Sequence, residues 1–307
     1  MYTNYFKDKS DERFHIIPGP TPDCWIHTEN ASIDDIERLS KILDVDSEDI
    51  KDALDMMEIA RIERIEKEVF VVYVRFPHMQ EIGAYTAPLT IVLSKDYLIT
   101  ICPATCHIIQ KILSEKSDLV TKMRAKLLIH ILLRIVQEYT KVIRRIRSEV
   151  INQEKDISTV TDQEITELTR KEENLNQCQN ALQPLKEVIE KILSGKFITL
   201  YEKDQDLLED LLLATEQAEE MCRLSLRIIS SLRNSVQVII TNQFNKTIRL
   251  LTALTIILTF PTIIASIYGM NVPLPFQKNP HAFYYISSFI ALVIIVVIYS
   301  FKRKRWL

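Results

Sequence analysis

The sequence predicts an α+β membrane protein: an N-terminal cytosolic α/β domain, long stalk helices, then two transmembrane helices at the C-terminal end. Three observations carry this expectation. Strand-type runs occur only within residues 14 to 110, helical periodicity without strand signals follows from Ser117 to Thr241, and two uncharged apolar stretches close the chain.

The chain has 307 residues and a net charge of −3, with the charge distributed very unevenly. Residues 1 to 245 are charge-rich and read as soluble, and from Leu250 the character changes. The first 30 residues carry charges throughout and no apolar core, so no secretory signal is expected. Cys24, Cys102, Cys106, Cys178 and Cys222 all precede the apolar stretches and read as small apolar residues of a reduced compartment. Cys102, Cys106 and His107 invite a zinc reading, but no second ligand pair follows at zinc-site spacing. No P-loop and no catalytic constellation is present, so an enzyme is not expected.

Leu250 to Ile267 is an 18-residue stretch without a charge, and Ala282 to Phe301 a 20-residue one. About 20 residues span a bilayer's hydrocarbon as a helix, and including Thr247 and Tyr268 brings the first stretch to that length. Only the 13 residues from Gly269 to His281 join them, which forces an antiparallel hairpin with both ends on one side. Lys246 and Arg249 precede the first span, and Lys302, Arg303, Lys304 and Arg305 follow the second. The positive-inside rule then puts both termini in the cytosol of a cell-membrane protein and the short loop outside. A basic tail alone can suggest nucleic acid. Here it directly follows an apolar span, so the lipid bilayer is the expected partner and nucleic acid is not.

Within the first span Thr252, Thr255, Thr259, Thr262 and Ser266 recur at spacings of three and four, which places five hydroxyls on one helix face. Extended backward, that seam meets Ile248, Asn245, Thr241, Val238 and Asn234. Two readings stand. The hydroxyls can satisfy the carbonyl four residues back or bridge neighbouring helices. Alternatively, a ring of such helices faces a water column, since intramembrane polar residues often mark ion pathways. The stripe holds no acid or base, so it suits an ion that keeps its water. Pro261 removes one backbone hydrogen bond, which kinks the helix or exposes a carbonyl.

In the soluble region Cys24-Trp25-Ile26-His27 reads as a strand, and Ser32 with Asp35 as a capping box opening a helix. Helical periodicity then runs on to about Arg64. Val69 to Val74 reads as a buried strand, and Leu89 to Leu93 with Tyr97 to Ile101 as a hairpin around Ser94-Lys95-Asp96. Beyond Ser117, Leu128, Ile131, Ile135, Tyr139, Val142, Ile146 and Val150 trace one helical face. Leu168, Leu175, Cys178, Leu182, Leu185, Ile189 and Ile192 trace another, as in a bundle. Ser194-Gly195 ends the second helix, and a third starts near Lys203 with no clear stop before Tyr268, about 66 residues and roughly 100 Å if continuous.

Tyr268-Gly269-Met270-Asn271 closes the first span, and with Asn245-Lys246-Thr247, Pro261, the short outer loop and the basic ending before Trp306-Leu307 it resembles the CorA family of magnesium transporters. Trp25 to Asn30 and the Asp49 to Phe76 segment resemble that family's N-terminal domain, so the likeness covers nearly the whole chain. The resemblance implies a funnel-shaped homopentamer whose first spans line a central pore. Gly269, Met270 and Asn271 match the family's selectivity filter, with Asn271 offering neutral amide oxygens to the waters of a hydrated magnesium ion, which dehydrates reluctantly. Gly269 is expected to let the backbone approach and turn. Matching also implies that Asn245, Ile248, Leu251, Thr259 and Thr262 face the pore, with Ile248 and Leu251 as an apolar gate. Asp210 matches an acidic stalk residue of the regulatory magnesium site, with Glu81 as its suggested partner, and Lys302 to Arg305 match a basic collar. A solvated stalk carboxylate is the alternative reading of Asp210, a solvated surface role is the preferred reading of Glu81, and topological anchoring explains the bases equally well. One departure stands out. The outer loop, Val272 to His281, has no acid and one lysine, which weakens cation steering and leaves cobalt, nickel or zinc open as the carried ion. Zinc-transporting relatives vary the middle residue of the triplet, so the intact Gly-Met-Asn favours magnesium.

The expected division is 1–115 for the α/β domain, 116–245 for the stalk, 246–268 and 282–301 for the spans, 269–281 for the outer loop and 302–307 for the basic tail. The expected function is passive Mg2+ influx driven by membrane potential and gated by cytosolic Mg2+. A membrane-anchored helical sensor or scaffold without a pore is the rival from another class.

Overall fold

The computed structural model describes residues 2–78, 86–154, 162–197, 200–275 and 279–304. By contacts it divides into two units, Met1–Ser231 and Leu232–Leu307.

The first unit is built on a seven-stranded sheet. Its strands are β1 (Tyr2–Phe6), β2 (His15–Ile17), β3 (Trp25–Thr28), β4 (Arg61–Glu66), β5 (Val69–Pro77), β6 (Thr86–Leu93) and β7 (Leu98–Ile101). The order is β2-β1-β3-β7-β6-β5-β4, antiparallel throughout except for β3 beside β7. The β6–β7 hairpin turns at Ser94–Tyr97, where Ser94 N–H donates to Tyr97 O at 2.9 Å. β6 and β7 are buried at every position, as expected of central strands.

Helix α1 (Ile33–Leu43) starts at the expected capping box: Ser32 Oγ accepts from Asp35 N–H, and Asp35 Oδ2 accepts from Ser32 N–H. With a 3₁₀ helix at Ser47–Leu54 it covers one sheet face. Ile36, Leu39, Leu43, Ile50 and Ala53 pack there on Ile26, Val71, Tyr73, Val92 and Ile99. The alternate residues of β5, Val72, Val74 and Phe76, turn to the other face and are equally buried. Helices α3 (Arg124–Glu154) and α4 (Asp162–Leu193) contact β5, and α2 (His107–Ser114) contacts α3. Tyr139 of α3 fixes that layer, its hydroxyl donating to Arg75 O at 3.1 Å.

The expected helical faces are the ones that pack. Every residue of the α4 series from Leu168 to Ile192 is buried, and in α3 only Val142 is partly exposed, its place being taken by Ile143. Helix α5 (Glu202–Tyr268) is one helix of 67 residues. Its first part pairs with α4 through Glu216–Lys186 at 2.7 Å and Cys222 Sγ to Leu175 O at 3.1 Å, an antiparallel register. Gly195, at φ 70°, ends the turn after α4, in the left-handed conformation that glycine adopts without cost.

The expected extent of the first helix fails. Helical structure does not reach Arg64: α1 stops at Leu43, and residues 61–66 form edge strand β4. Asp44 adopts the left-handed conformation (φ 55°), and Asp46 caps the next turn by accepting from Glu48 N–H at 3.1 Å. The three-residue spacing of Ile59, Ile62 and Ile65 imitates a helix, but pairing with β5 overrides it, with the Arg61 guanidinium 4.0 Å above the Tyr73 ring. Strands β1 and β2 carry no strong sequence signal and were absent from the expectation.

In the second unit the remainder of α5 is followed by α6 (Ala282–Arg303). Both carry apolar windows long enough to cross a bilayer, with mean hydropathy 2.2 and 2.4, and both are almost entirely exposed. Such surface in water would be untenable. In lipid it is the ordinary condition of a spanning helix.

Candidate ion pathway

All residues of the hydroxyl stripe lie on α5. Thr252, Thr255, Thr259, Thr262 and Ser266 are exposed, as are Asn245, Ile248 and Leu251 on the turns before them. At 100° per residue the five hydroxyl-bearing positions fall within about 80° of arc. Ile264 and Tyr268 lie roughly 160° from the centre of that arc on the same helix wheel, and Ile267 roughly 100°. Those three, with Tyr285, Ile286 and Phe289 of α6, line an apolar groove of 390 Å³. The stripe therefore points away from its own second span.

Three of the five hydroxyls have a defined destination for their hydrogen. Thr255 Oγ1 donates to Leu251 O at 2.9 Å, Thr259 Oγ1 to Thr255 O at 2.7 Å, and Thr262 Oγ1 to Leu258 O at 2.8 Å. Thr241 and Thr247 repeat the pattern on Gln237 O and Gln243 O. The carbonyl-satisfying reading thus describes where the hydrogens go. It does not exclude the other, because a hydroxyl that donates to its own helix still offers oxygen lone pairs outward, as an acceptor only. A row of such groups suits donors, and the outer surface of a hydrated metal ion is made of O–H donors.

At the end of α5, Gly269 N–H donates to Ala265 O at 3.0 Å and Met270 N–H to Ile267 O at 3.2 Å, closing the helix in a tight turn that leaves Met270 and Asn271 exposed. Tyr268, which the sequence marked only as a helix end, braces this turn by donating from its hydroxyl to Pro275 O at 3.3 Å. A phenol seven residues before a proline is too common a pattern to announce that contact. Gly269 departs from expectation. Its φ is not positive, and a Cβ there would meet Ala265 O at 3.4 Å, an ordinary contact. Within one chain, then, the backbone does not require glycine.

Asp210 lies exposed on α5, and Glu81 falls outside the described residues. Among the described residues no group of three or more His, Cys, Asp or Glu side chains converges as a metal site. Cys102 and Cys106 are fully buried, with Cys102 Sγ donating to Pro88 O at 3.4 Å and burial beside Cys102 pushing the Cys106 thiol well up. Burial likewise lowers the His107 pKa. Lys302 and Arg303 close α6, where cations complement the helix dipole, and Lys304 N–H caps it on Ser300 O at 3.0 Å. Arg305 falls outside the described residues.

An α/β domain whose last helix runs on into the first of two apolar helices, joined by a short Gly-Met-Asn loop, defines a two-span membrane transport protein. The family model for CorA-like Mg2+ transporter protein matches residues 23–303, and the chain belongs to that family. It is 26% identical over 249 residues to the cobalt/magnesium transport protein CorA of Methanocaldococcus jannaschii, covering 78% of each chain. It is 22% identical over 192 residues to the cobalt/magnesium transport protein CorA of Thermotoga maritima, covering 62% of this chain and 55% of the relative. The complete structure of the CorA magnesium transporter from Methanocaldococcus jannaschii superposes with a TM-score of 0.84 at 20% identity, over 100% of this chain and 99% of that one.

Proposed function

We propose that this chain forms a homopentameric channel in the cell membrane, both termini cytosolic, that admits Mg2+ passively through a pore lined by residues 245 to 271 of five α5 helices. The observation that carries the reading is the exposed hydroxyl stripe from Thr252 to Ser266, turned away from α6, in which Thr255, Thr259 and Thr262 donate to their own helix and keep only acceptors outward. An isolated span with that stripe in lipid would bury polar oxygens to no purpose. Copies arranged around water give them a partner.

Magnesium binds its waters tightly and prefers octahedral oxygen coordination. A wall of neutral acceptors receives hydrogen bonds from those waters without stripping them, while carboxylates would hold the ion too long. Five Asn271 amides at the outer mouth act first, with Gly269 and Met270 shaping the turn that presents them. Ile248 and Leu251, 44% and 64% exposed in the single chain, form the apolar constriction that closes by dewetting. An inside-negative potential of 100 mV supplies roughly 4 to 5 kcal/mol per divalent ion. Cytosolic Mg2+ shutting the gate through Asp210, with Glu81 of the α/β domain as its partner, completes the reading, and the bases from Lys302 to Arg305 encircle the inner end.

Growth of a magnesium-uptake-deficient strain tests this. Expression of the chain restores growth, and Asn271→Ala abolishes rescue while the protein still reaches the membrane. Undiminished rescue by Asn271→Ala would end the role given to that amide. A second reading, cobalt as cargo, draws on the names of the two CorA relatives and on the acid-free outer loop. Competition between Mg2+ and Co2+ in a flux assay separates them. A scaffold without a pore predicts no flux at all.

A further inference from the structure

A second feature of the first unit lies apart from the hydroxyl stripe of α5. Where the β4–β5 and β6–β7 turns meet the β1–β2 connection, the start of α3 and the segment joining α4 to α5, they enclose a cleft of 1340 Å³. Nine Lys or Arg side chains line it against three carboxylates, in a chain whose net charge is −3. The bases come from five separate stretches, so the fold assembles them and no single basic run accounts for them.

Most of these cations lack a counter-ion among the described residues. Arg124 pairs with Asp23, and Arg64 stacks 4.8 Å over Phe70 while donating to Lys196 O at 3.2 Å. Among the described residues Lys67, Lys95, Lys122, Lys126, Lys196 and Lys203 make no ion pair within 4 Å. Like charges gathered in one concavity repel and focus a positive potential into it, which a multiply charged anion relieves. The cleft also presents flat apolar surface: Phe197 packs edge-on against Phe70 at 6.3 Å, and Tyr201 stands on the rim 81% exposed. A solvated tyrosine beside lysines offers a stacking face for a planar ring.

We propose that this cleft binds a nucleoside triphosphate, its phosphates among Lys67, Lys95, Lys122, Lys126 and Lys196 and its base on Phe197 and Tyr201. Four phosphate charges match a lysine cluster that makes point-charge contacts. The aromatic pair distinguishes a nucleotide from a bare polyphosphate or a lipid head group. The volume exceeds that of the ligand, so part of the cleft stays hydrated.

Titration calorimetry on the full-length protein in detergent, with EDTA present, tests the site using ATP, inorganic triphosphate, AMP and short-chain phosphatidylglycerol. ATP binds saturably at one per chain. Triphosphate and AMP each bind at least fivefold more weakly, Lys122→Glu with Lys196→Glu weakens ATP at least tenfold, and Tyr201→Ala weakens ATP but not triphosphate. Unaltered thermal unfolding of the variants shows that the fold is intact. The proposal is overturned by absent saturation with ATP, by equal binding to the double variant, by triphosphate matching ATP, or by phosphatidylglycerol displacing ATP at equal concentration. Direct binding is read here, so the result is independent of whether the chain conducts ions.

Discussion

Replacing Thr259 with valine isolates what the hydroxyl stripe does. Valine keeps the shape and the β-branch, so only the hydroxyl is lost. In the structure that hydroxyl donates to Thr255 O at 2.7 Å, a carbonyl that keeps its ordinary helical partner, so no buried group is orphaned and the helix itself loses little. What disappears is an outward acceptor. One hydrogen bond from an ion-bound water is worth about 1 kcal/mol net, which slows passage about fivefold if the ring sits near the barrier. Removing Thr255 and Thr259 together costs about 2 kcal/mol and about thirtyfold in rate. Mg2+ entry into proteoliposomes under an inside-negative potassium diffusion potential, followed with an internal magnesium-sensitive dye, measures this directly. Thr259→Ser returns the acceptor and restores the rate. Thr140→Val, which removes the same kind of back-bond (2.9 Å to Val136 O) from α3, leaves flux unchanged. Wild-type flux through the double valine variant refutes a pore lined by this face.

Three further outcomes follow from individual contacts. Ser32→Ala removes the α1 cap and lowers stability by about 1 kcal/mol, seen as a reduced denaturant midpoint with an unchanged slope. The Tyr73 hydroxyl is pushed up to about 12 by burial, which outweighs the opposing Arg61 guanidinium, while the carboxylates of Asp52, Glu63 and Asp49 push the same way as burial. Because the folded value lies above the ordinary 10, its contribution is intact below pH 10 and is lost as pH rises from 10 through 12. That amounts to about 3 kcal/mol at 1.36 kcal/mol per unit. Tyr73→Phe flattens alkaline unfolding across that window, and an unchanged profile would show that another group governs it. Gly269→Ala inserts and unfolds like the parent, since the added methyl meets only a 3.4 Å contact; failure of the single chain to fold would contradict that geometry.

The helices and central strands were legible because their signals are local. Ser32 and Asp35 announce a cap, Ser94-Lys95-Asp96 a hairpin, and the α4 series from Leu168 to Ile192 a buried face, all within one or a few turns of chain. What was missed is decided by distant partners. β1 pairs with β3, more than 20 residues on, and sits beside a charged stretch that masks it. The parallel match of Trp25 with Leu98 joins residues more than 70 apart and leaves no trace in either segment. β4 reads as helix until its partner β5 is known.

The same distinction separates the two candidate sites. The stripe lies on one helix, so a rule of three and four finds it, and the two readings of its threonines are compatible at Thr255, Thr259 and Thr262, where the hydrogen goes to the helix and the lone pairs to whatever the face meets. Those assignments also explain why threonine suits such a face better than asparagine or serine repeated along it. A β-branched side chain has few rotamers, and the back-bond fixes the one that keeps the acceptor outward. The lysine cleft has no such signature. Lys67 sits on a strand turn, Lys122 before a helix and Lys196 after one, each an unremarked surface base in sequence. Only the sheet order, which brings the β4–β5 and β6–β7 turns to one edge beside the start of α3, makes them neighbours. A concentration of positive charge assembled that way opposes folding through repulsion, so its presence in an otherwise anionic chain is the physical reason to look for the anion that relieves it.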